Sequence, residues 1–230
     1  MARARVNSTK VEIIRVATKM FLEKGFSATS VKSVCDELEI STGNFTFYFP
    51  TKEHVLAVLV EMLCEFQREI MQAVVEEGNT SLLALCLELA TMASVCEDDE
   101  ITKDFFLSSY SHPLTLEIIR KNDALRAKEV FSEYCPDWDD ADFAEAEIIV
   151  SGIEYSTLMT TDSTVPLEMR VAGAANSILT TFHVPNDVRQ NKIEKLLALD
   201  YRNIGKRVLE EFKEYVENFN DDDLNELLRK

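Results

Sequence analysis

Glycine and proline are scarce, 6 and 5 residues in a chain of 230, and no two glycines lie close together. That scarcity excludes collagen-like repeats, low-complexity disorder and a loop-rich all-β sandwich. It also excludes the glycine-dependent devices of many enzymes: GxGxxG, a phosphate-binding loop and the nucleophile elbow. Histidine is scarcer still, with His54, His112 and His183 far apart and no HExxH. Zinc sites of the usual spacing are therefore absent from the sequence. The five cysteines (Cys35, Cys64, Cys86, Cys96, Cys135) are odd in number and form no CxxC pair, which reads as buried thiols in a reducing compartment. Apolar runs are interrupted by charge before the roughly 18 residues a membrane span needs. No signal-peptide core follows the polar N-terminus. The expectation is a cytoplasmic, non-enzymatic chain without cofactor or metal and without a membrane partner.

What is present is helical pattern and an uneven charge. The chain carries 24 Lys+Arg against 41 Asp+Glu, a net charge of −17. Residues 1–54 hold 8 basic and 6 acidic residues, so the remainder carries a net −19. A slightly basic head joined to an acidic body is the distribution of a small nucleic-acid-binding module on a solvated support. Thr9-Lys10-Val11-Glu12 reads as a capping box that opens a first helix, ended by Gly25. Thr29 is the expected cap of a short second helix with Val31, Val34, Cys35 and Leu38 inside. Ser41 caps a third, from Thr42 to about Phe47, and a long fourth helix starts after Pro50-Thr51. Beyond Gly78-Asn79 the pattern predicts helices at 80–97, 100–110, 113–134, 139–161, 167–183 and 187–218, with a short tail at 221–229. The fold class is all-α, with a helix-turn-helix domain over 1–54 and a larger helical domain over 55–230.

The third helix suits insertion into a DNA groove. Phe45 and Phe49, four residues apart, anchor it inward on Val34 and Phe21. Thr42, Gly43, Asn44 and Phe47 face out, and Gly43 lets the backbone approach DNA closely. The segments Phe26-Ser27-Ala28-Thr29-Ser30-Val31, Ile40-Ser41-Thr42-Gly43-Asn44-Phe45 and Tyr48-Phe49-Pro50-Thr51-Lys52-Glu53 together resemble the DNA-binding domain of TetR-family transcriptional regulators. The resemblance spans roughly residues 8–56. It implies that Thr29 caps the second helix and touches a phosphate, and that Ser41, Thr42, Gly43 and Asn44 open the recognition helix. It further implies phosphate contacts from Tyr48 and Lys52. Four positions depart from the family pattern: Glu39 for the usual turn glycine, Thr46 with Phe47, and Thr42 for a frequent lysine. These departures point to weaker or more salt-sensitive operator binding than is typical of the family. Arg3 and Arg5 could form an arm into the minor groove.

The resemblance also implies a homodimer, a palindromic double-stranded operator and a small-molecule inducer whose binding pivots the fourth helix. Repression is the mode that it implies. Independently, the apolar content of 139–161 and 167–183, with Ala172, Gly173, Ala175 and Ser177 as small residues, marks these two helices as the dimer pair. The stripe on 187–218 (Ile193, Leu197, Ile204, Val208, Phe212, Tyr215, Phe219) either packs across the body or extends that interface. Candidates for the inducer pocket are Met62, Phe66, Met92, Phe105, Phe106, Tyr110, Phe131, Trp138, Tyr155 and Met159, aromatics and methionines suited to an adaptable apolar cavity. Basic residues are few between 79 and 184, which favours a neutral or cationic inducer over an anionic one. The alternative is a protein-interaction adaptor that keeps this fold with weak or lost DNA binding.

Overall fold

A computed structural model describes residues 2–74, 81–161 and 164–227, with side chains over 9–68, 70, 81–161, 164–225 and 227. Among the described residues every regular element is a helix: α1 (Ala2–Lys24), α2 (Val31–Glu37), α3 (Thr42–Tyr48), α4 (Lys52–Val74), α5 (Ser81–Asp98), α6 (Glu100–Ser111), α7 (Pro113–Phe131), α8 (Asp140–Met159), α9 (Leu167–Thr181), α10 (Asn186–Ala198), α11 (Tyr201–Asn218) and α12 (Asp221–Leu227). None of them is long and apolar enough to cross a membrane.

Local chemistry sets most of the boundaries. The Asp99 carboxylate accepts from the Thr102 amide at 2.9 Å and opens α6. Asp139 and Asp142 exchange side-chain and backbone bonds across the first turn of α8, a capping box. Pro113 occupies the first turn of α7, where its missing N–H costs nothing. Two expectations fail here. The helix starts at Ala2 rather than at Thr9, because the Ala-Arg-rich start continues as helix through the capping-box sequence. The single helix expected over 187–218 is two, since Asp200 accepts from the Asn203 amide and begins α11 afresh. The side chains of Arg3 and Arg5, the expected arm, lie outside the described residues.

α5 is apolar around nearly its whole circumference and is accordingly the central helix, enclosed by α4, α6, α8, α9, α10 and α11. α11 buries one stripe, Tyr201, Gly205, Val208, Phe212 and Val216, against α5 and α1. The C-terminal helices thus pack across the body and reach back to the first helix. Gly205 is the point of closest approach: a Cβ there would lie 3.0 Å from both the Thr91 carbonyl and Ser94 Oγ. The acidic pair Glu97 and Asp98 ends α5, where the helix dipole disfavours it. Arg170 on α9 and Arg202 and Lys206 on α11 supply the compensating cations. Four cysteines are buried and Cys64 half-buried, all as free thiols. Burial pushes the Cys86 and Cys96 thiols up to about 12, so they are packing groups.

Candidate nucleic-acid interface

α2, a tight turn and α3 stand on α1. Ser30 and not Thr29 caps α2: the Ser33 amide donates to Ser30 Oγ at 3.0 Å, and the Ser30 amide donates to Ser33 Oγ at 3.0 Å. Thr29 is buried, its hydroxyl donating to the Gly25 carbonyl at 2.8 Å and the Met20 carbonyl at 3.3 Å. It closes the end of α1, so the phosphate contact implied for it has no exposed hydroxyl to make it. In the turn, Ile40 N–H reaches Cys35 O at 3.0 Å and Glu39 N–H reaches Asp36 O at 3.4 Å, the double bond of a left-handed helix stop. Glu39 takes φ 53° to make it. A Cβ in that conformation costs about 1 kcal/mol. Glu39→Gly should therefore raise stability by about 1 kcal/mol. Urea unfolding should show a higher midpoint at unchanged slope.

Ser41 caps α3, accepting from the Asn44 amide at 3.1 Å. Phe45 and Phe49 are buried with ring centroids 6.2 Å apart, in the same core cluster as Phe21 and Val34. They fix α3 on its support and leave Ser41, Thr42, Gly43, Asn44, Thr46 and Phe47 exposed. Phe47 is 75% exposed and stands edge-on to half-buried Tyr48 at 5.0 Å. From Ser41 to Thr51 there is no charged residue. Lys32 on α2 pairs with Asp36 at 2.8 Å.

Lys52 turns inward. Its ammonium donates to the Phe26 carbonyl at 2.7 Å and the Thr29 carbonyl at 2.8 Å, and lies 4.1 Å from the Phe26 ring centre. Burial lowers its pKa from the usual lysine value. The side chain is turned into the α1–α2 loop as a clasp, and at most one ammonium proton is left for a phosphate. From the other side, Asp104 of α6 accepts from the Ser27 amide at 2.8 Å and from the Ser27 hydroxyl. Gly25, at φ 93°, passes so close that a Cβ would sit 2.9 Å from Asp104 Oδ2. Body helices α4 and α6 thus both grip the loop that carries the head.

This arrangement meets a family description. Residues 13–59 match the family model for bacterial regulatory proteins of the tetR family. The head is similar to the DNA-binding domain of that family. Among curated relatives it is similar to the uncharacterized HTH-type transcriptional regulator YuxN of Bacillus subtilis (strain 168), 47% identical over 51 residues, 22% of this chain and 16% of that protein. YerO of the same organism is 31% identical over 72 residues, 31% of this chain and 25% of that protein. The chain spans a quarter or less of the length of these two relatives. Among solved structures, the TetR family protein CprB from S. coelicolor A3(2) covers 90% of this chain and 99% of its own at 19% identity and TM-score 0.44. The TetR regulator TylP from Streptomyces fradiae covers 87% and 95% at 21% identity and TM-score 0.47.

The TetR-type head sits on a body with an internal cavity of about 50 Å³, walled by α4 to α9. Of the expected pocket residues, Met92, Phe106 and Tyr110 line it. The others are elsewhere. Met62 and Phe105 are core. Phe131 stacks on Phe182 at 4.1 Å, and Phe66 packs on Phe212 and Tyr215 of α11. Trp138 rests on Phe143 and His183, Tyr155 is half-buried off the cavity, and Met159 is exposed. The sequence reading missed the polar wall: Glu88, Asp123, Arg126, Glu147 and Glu154. Its signal was available, because Glu88 interrupts the apolar run Leu82–Met92, and Glu147 and Glu154 stand seven apart on one helical face. Outside, the expected dimer pair α8 and α9 lie against each other and present Ile148, Ile149, Met159, Val165 and Met169 to the surface.

Proposed function

We propose that the protein is a homodimeric transcriptional repressor that holds a palindromic operator through two copies of α3 and releases it when a small molecule enters the body cavity. The observation that carries this reading is α3 itself, a short helix locked from behind by Phe45 and Phe49 with a polar, uncharged outer face. On a twofold dimer two such helices would enter successive major grooves about 34–36 Å apart. The exposed face of α8 and α9 supports the twofold contact, and Gly152 and Gly173, with open space at each Cβ, leave room for a second copy. Asn44 would read a base edge, with Ser41, Thr42, Gly43 and Tyr48 on the backbone. The grip of Asp104 on Ser27 supports a route from cavity to head, because α6 contributes Phe106, Ser109 and Tyr110 to the cavity and Asp104 to the loop.

Binding to fragments of the neighbouring genome at two salt concentrations tests this. Selective binding with a negative log–log salt slope supports the operator. With α3 carrying no charge, Thr42→Lys should steepen that slope by about 0.9 and tighten low-salt binding about tenfold. Asn44→Ala should instead change which sequence is preferred. An exposed Phe47 on an uncharged helix also suits docking on another protein. Binding that ignores salt and sequence in all three forms would favour that adaptor reading.

A further inference from the structure

The cavity's charges do not balance. Four carboxylates face it, Glu88 from α5, Asp123 from α7 and Glu147 and Glu154 from α8, against one lining guanidinium, Arg126. Arg126 is taken up by an ion pair with Glu88. Glu154 accepts from the Tyr110 hydroxyl at 3.0 Å. Arg120 acts on Glu147 only through its charge, its Nε being bonded to Ser151 Oγ at 2.9 Å, and Arg68 of α4 acts likewise on Asp123. Cys64 of α4 adds only a neutral thiol, pushed up by burial. Glu147 is 2% exposed, and its Oε2 is buried with no hydrogen-bond partner. A buried acceptor of this kind is costly unless something donates to it. Among the described residues no three His, Cys, Asp or Glu side chains lie close enough together to hold a metal ion. Apart from Gln67 and Ser109 the remaining wall is largely apolar, with Leu63, Leu89, Met92 and Ile178, and the volume holds about three to five waters.

We infer that this cavity is a receptor for a small aliphatic ammonium compound, its charged head received by Glu147 with Glu154 and Asp123, and its alkyl chain by the apolar wall. Without the cation, burial and mutual repulsion push Glu147 up to about 9 and Asp123 up to about 7, and hold Glu154 well above the usual carboxylate range. Glu147 and Glu154 are then held neutral at neutral pH, and an entering ammonium displaces a proton. The sign of the pH effect follows. A carboxyl whose folded pKa is raised stabilises the fold below its unfolded value of 4.5, and that stability is lost as pH rises towards about 9. The unliganded protein is less stable at pH 9 than at pH 6, and the ammonium ion reverses part of that loss.

That the cation acts as inducer rests on the repressor reading; that it binds does not. Calorimetric titration of the full chain with n-butylammonium and with 1-butanol at pH 7.5, in two buffers of different ionisation enthalpy, reads both affinity and proton release. The expected result is at least tenfold tighter binding of the amine, with a proton delivered to the buffer. Glu147→Gln should weaken the amine at least tenfold, abolish the proton release and flatten the pH dependence of stability. Should that variant lose helix, Glu154→Gln carries the same expectation. Equal affinity for amine and alcohol, unchanged binding in the variant, or no amine binding at about 10 mM overturns the assignment. Adding the amine to the protein–DNA complex separates the two readings. Amine binding with DNA retained removes the inducer role and leaves the receptor. DNA released by neutral compounds while the amine fails to bind does the opposite.

Discussion

Ile149→Glu should give a folded monomer whose operator affinity falls at least a hundredfold. Ile149 is 58% exposed in the single chain, so a carboxylate there is fully hydrated and the helical signal should not change. In a twofold contact across α8 and α9 the same substitution counts twice, since an isologous interface presents each residue from both sides. Two carboxylates taken out of water without partners cost several kcal/mol, enough to dissociate a dimer of ordinary affinity. Each half-site must then be held by one head alone, and the loss of effective concentration is worth about 10²–10⁴ in affinity. Sedimentation should report 26.2 kDa in place of twice that mass. A variant that stays dimeric shows that another face makes the contact.

The second large effect concerns the body. Gly205→Val should lower stability by about 3 kcal/mol, a fall in Tm of roughly 6–12 °C for a chain of this size. The added Cβ would meet the Thr91 carbonyl and Ser94 Oγ at 3.0 Å and Val95 Cγ1 at 3.2 Å, and valine adds two further carbons. The backbone carbonyl belongs to the central helix and has nowhere to go, so α11 must lift. Helix propensity runs the other way, since glycine is the poorer helix former, and a drop in Tm would show that steric contact decides. Gly205→Ala should fall between the two. The ion pairs of Arg202 and Lys206 with the end of α5 are half-exposed and cannot hold α11 in place by themselves.

The head was the most legible part of the sequence because its constraints are local. A serine cap, a pair of aromatics four apart and a strained turn act within a few residues, and Glu39, the departure from a turn glycine, does adopt the left-handed conformation. Even there the cap lay one residue off, at Ser30 instead of Thr29, because either hydroxyl satisfies the pattern and only the packing of α1 decides which is buried. The body was legible as helices and not as a cavity. Bulky side chains such as Phe131 and Phe66 go wherever space is filled, and the same chemistry that suits a pocket suits a core. Polar groups in apolar runs were the better guide. Glu88, Glu147 and Glu154 each cost something to bury, and such a cost points to a compensating contact. The break at Asp200 escaped because the apolar stripe continues across it.

The packing of α11 and α12 on α1 bears on how the protein is made. The helix that supports the helix-turn-helix is covered in part by α11 and α12, which follow it by about two hundred residues. At about 5–20 residues per second that is an interval of roughly 10–40 s. Throughout it the flank of α1 that α11 and α12 cover stays open, so α1 reaches its native surroundings only after the far end of the body has been made.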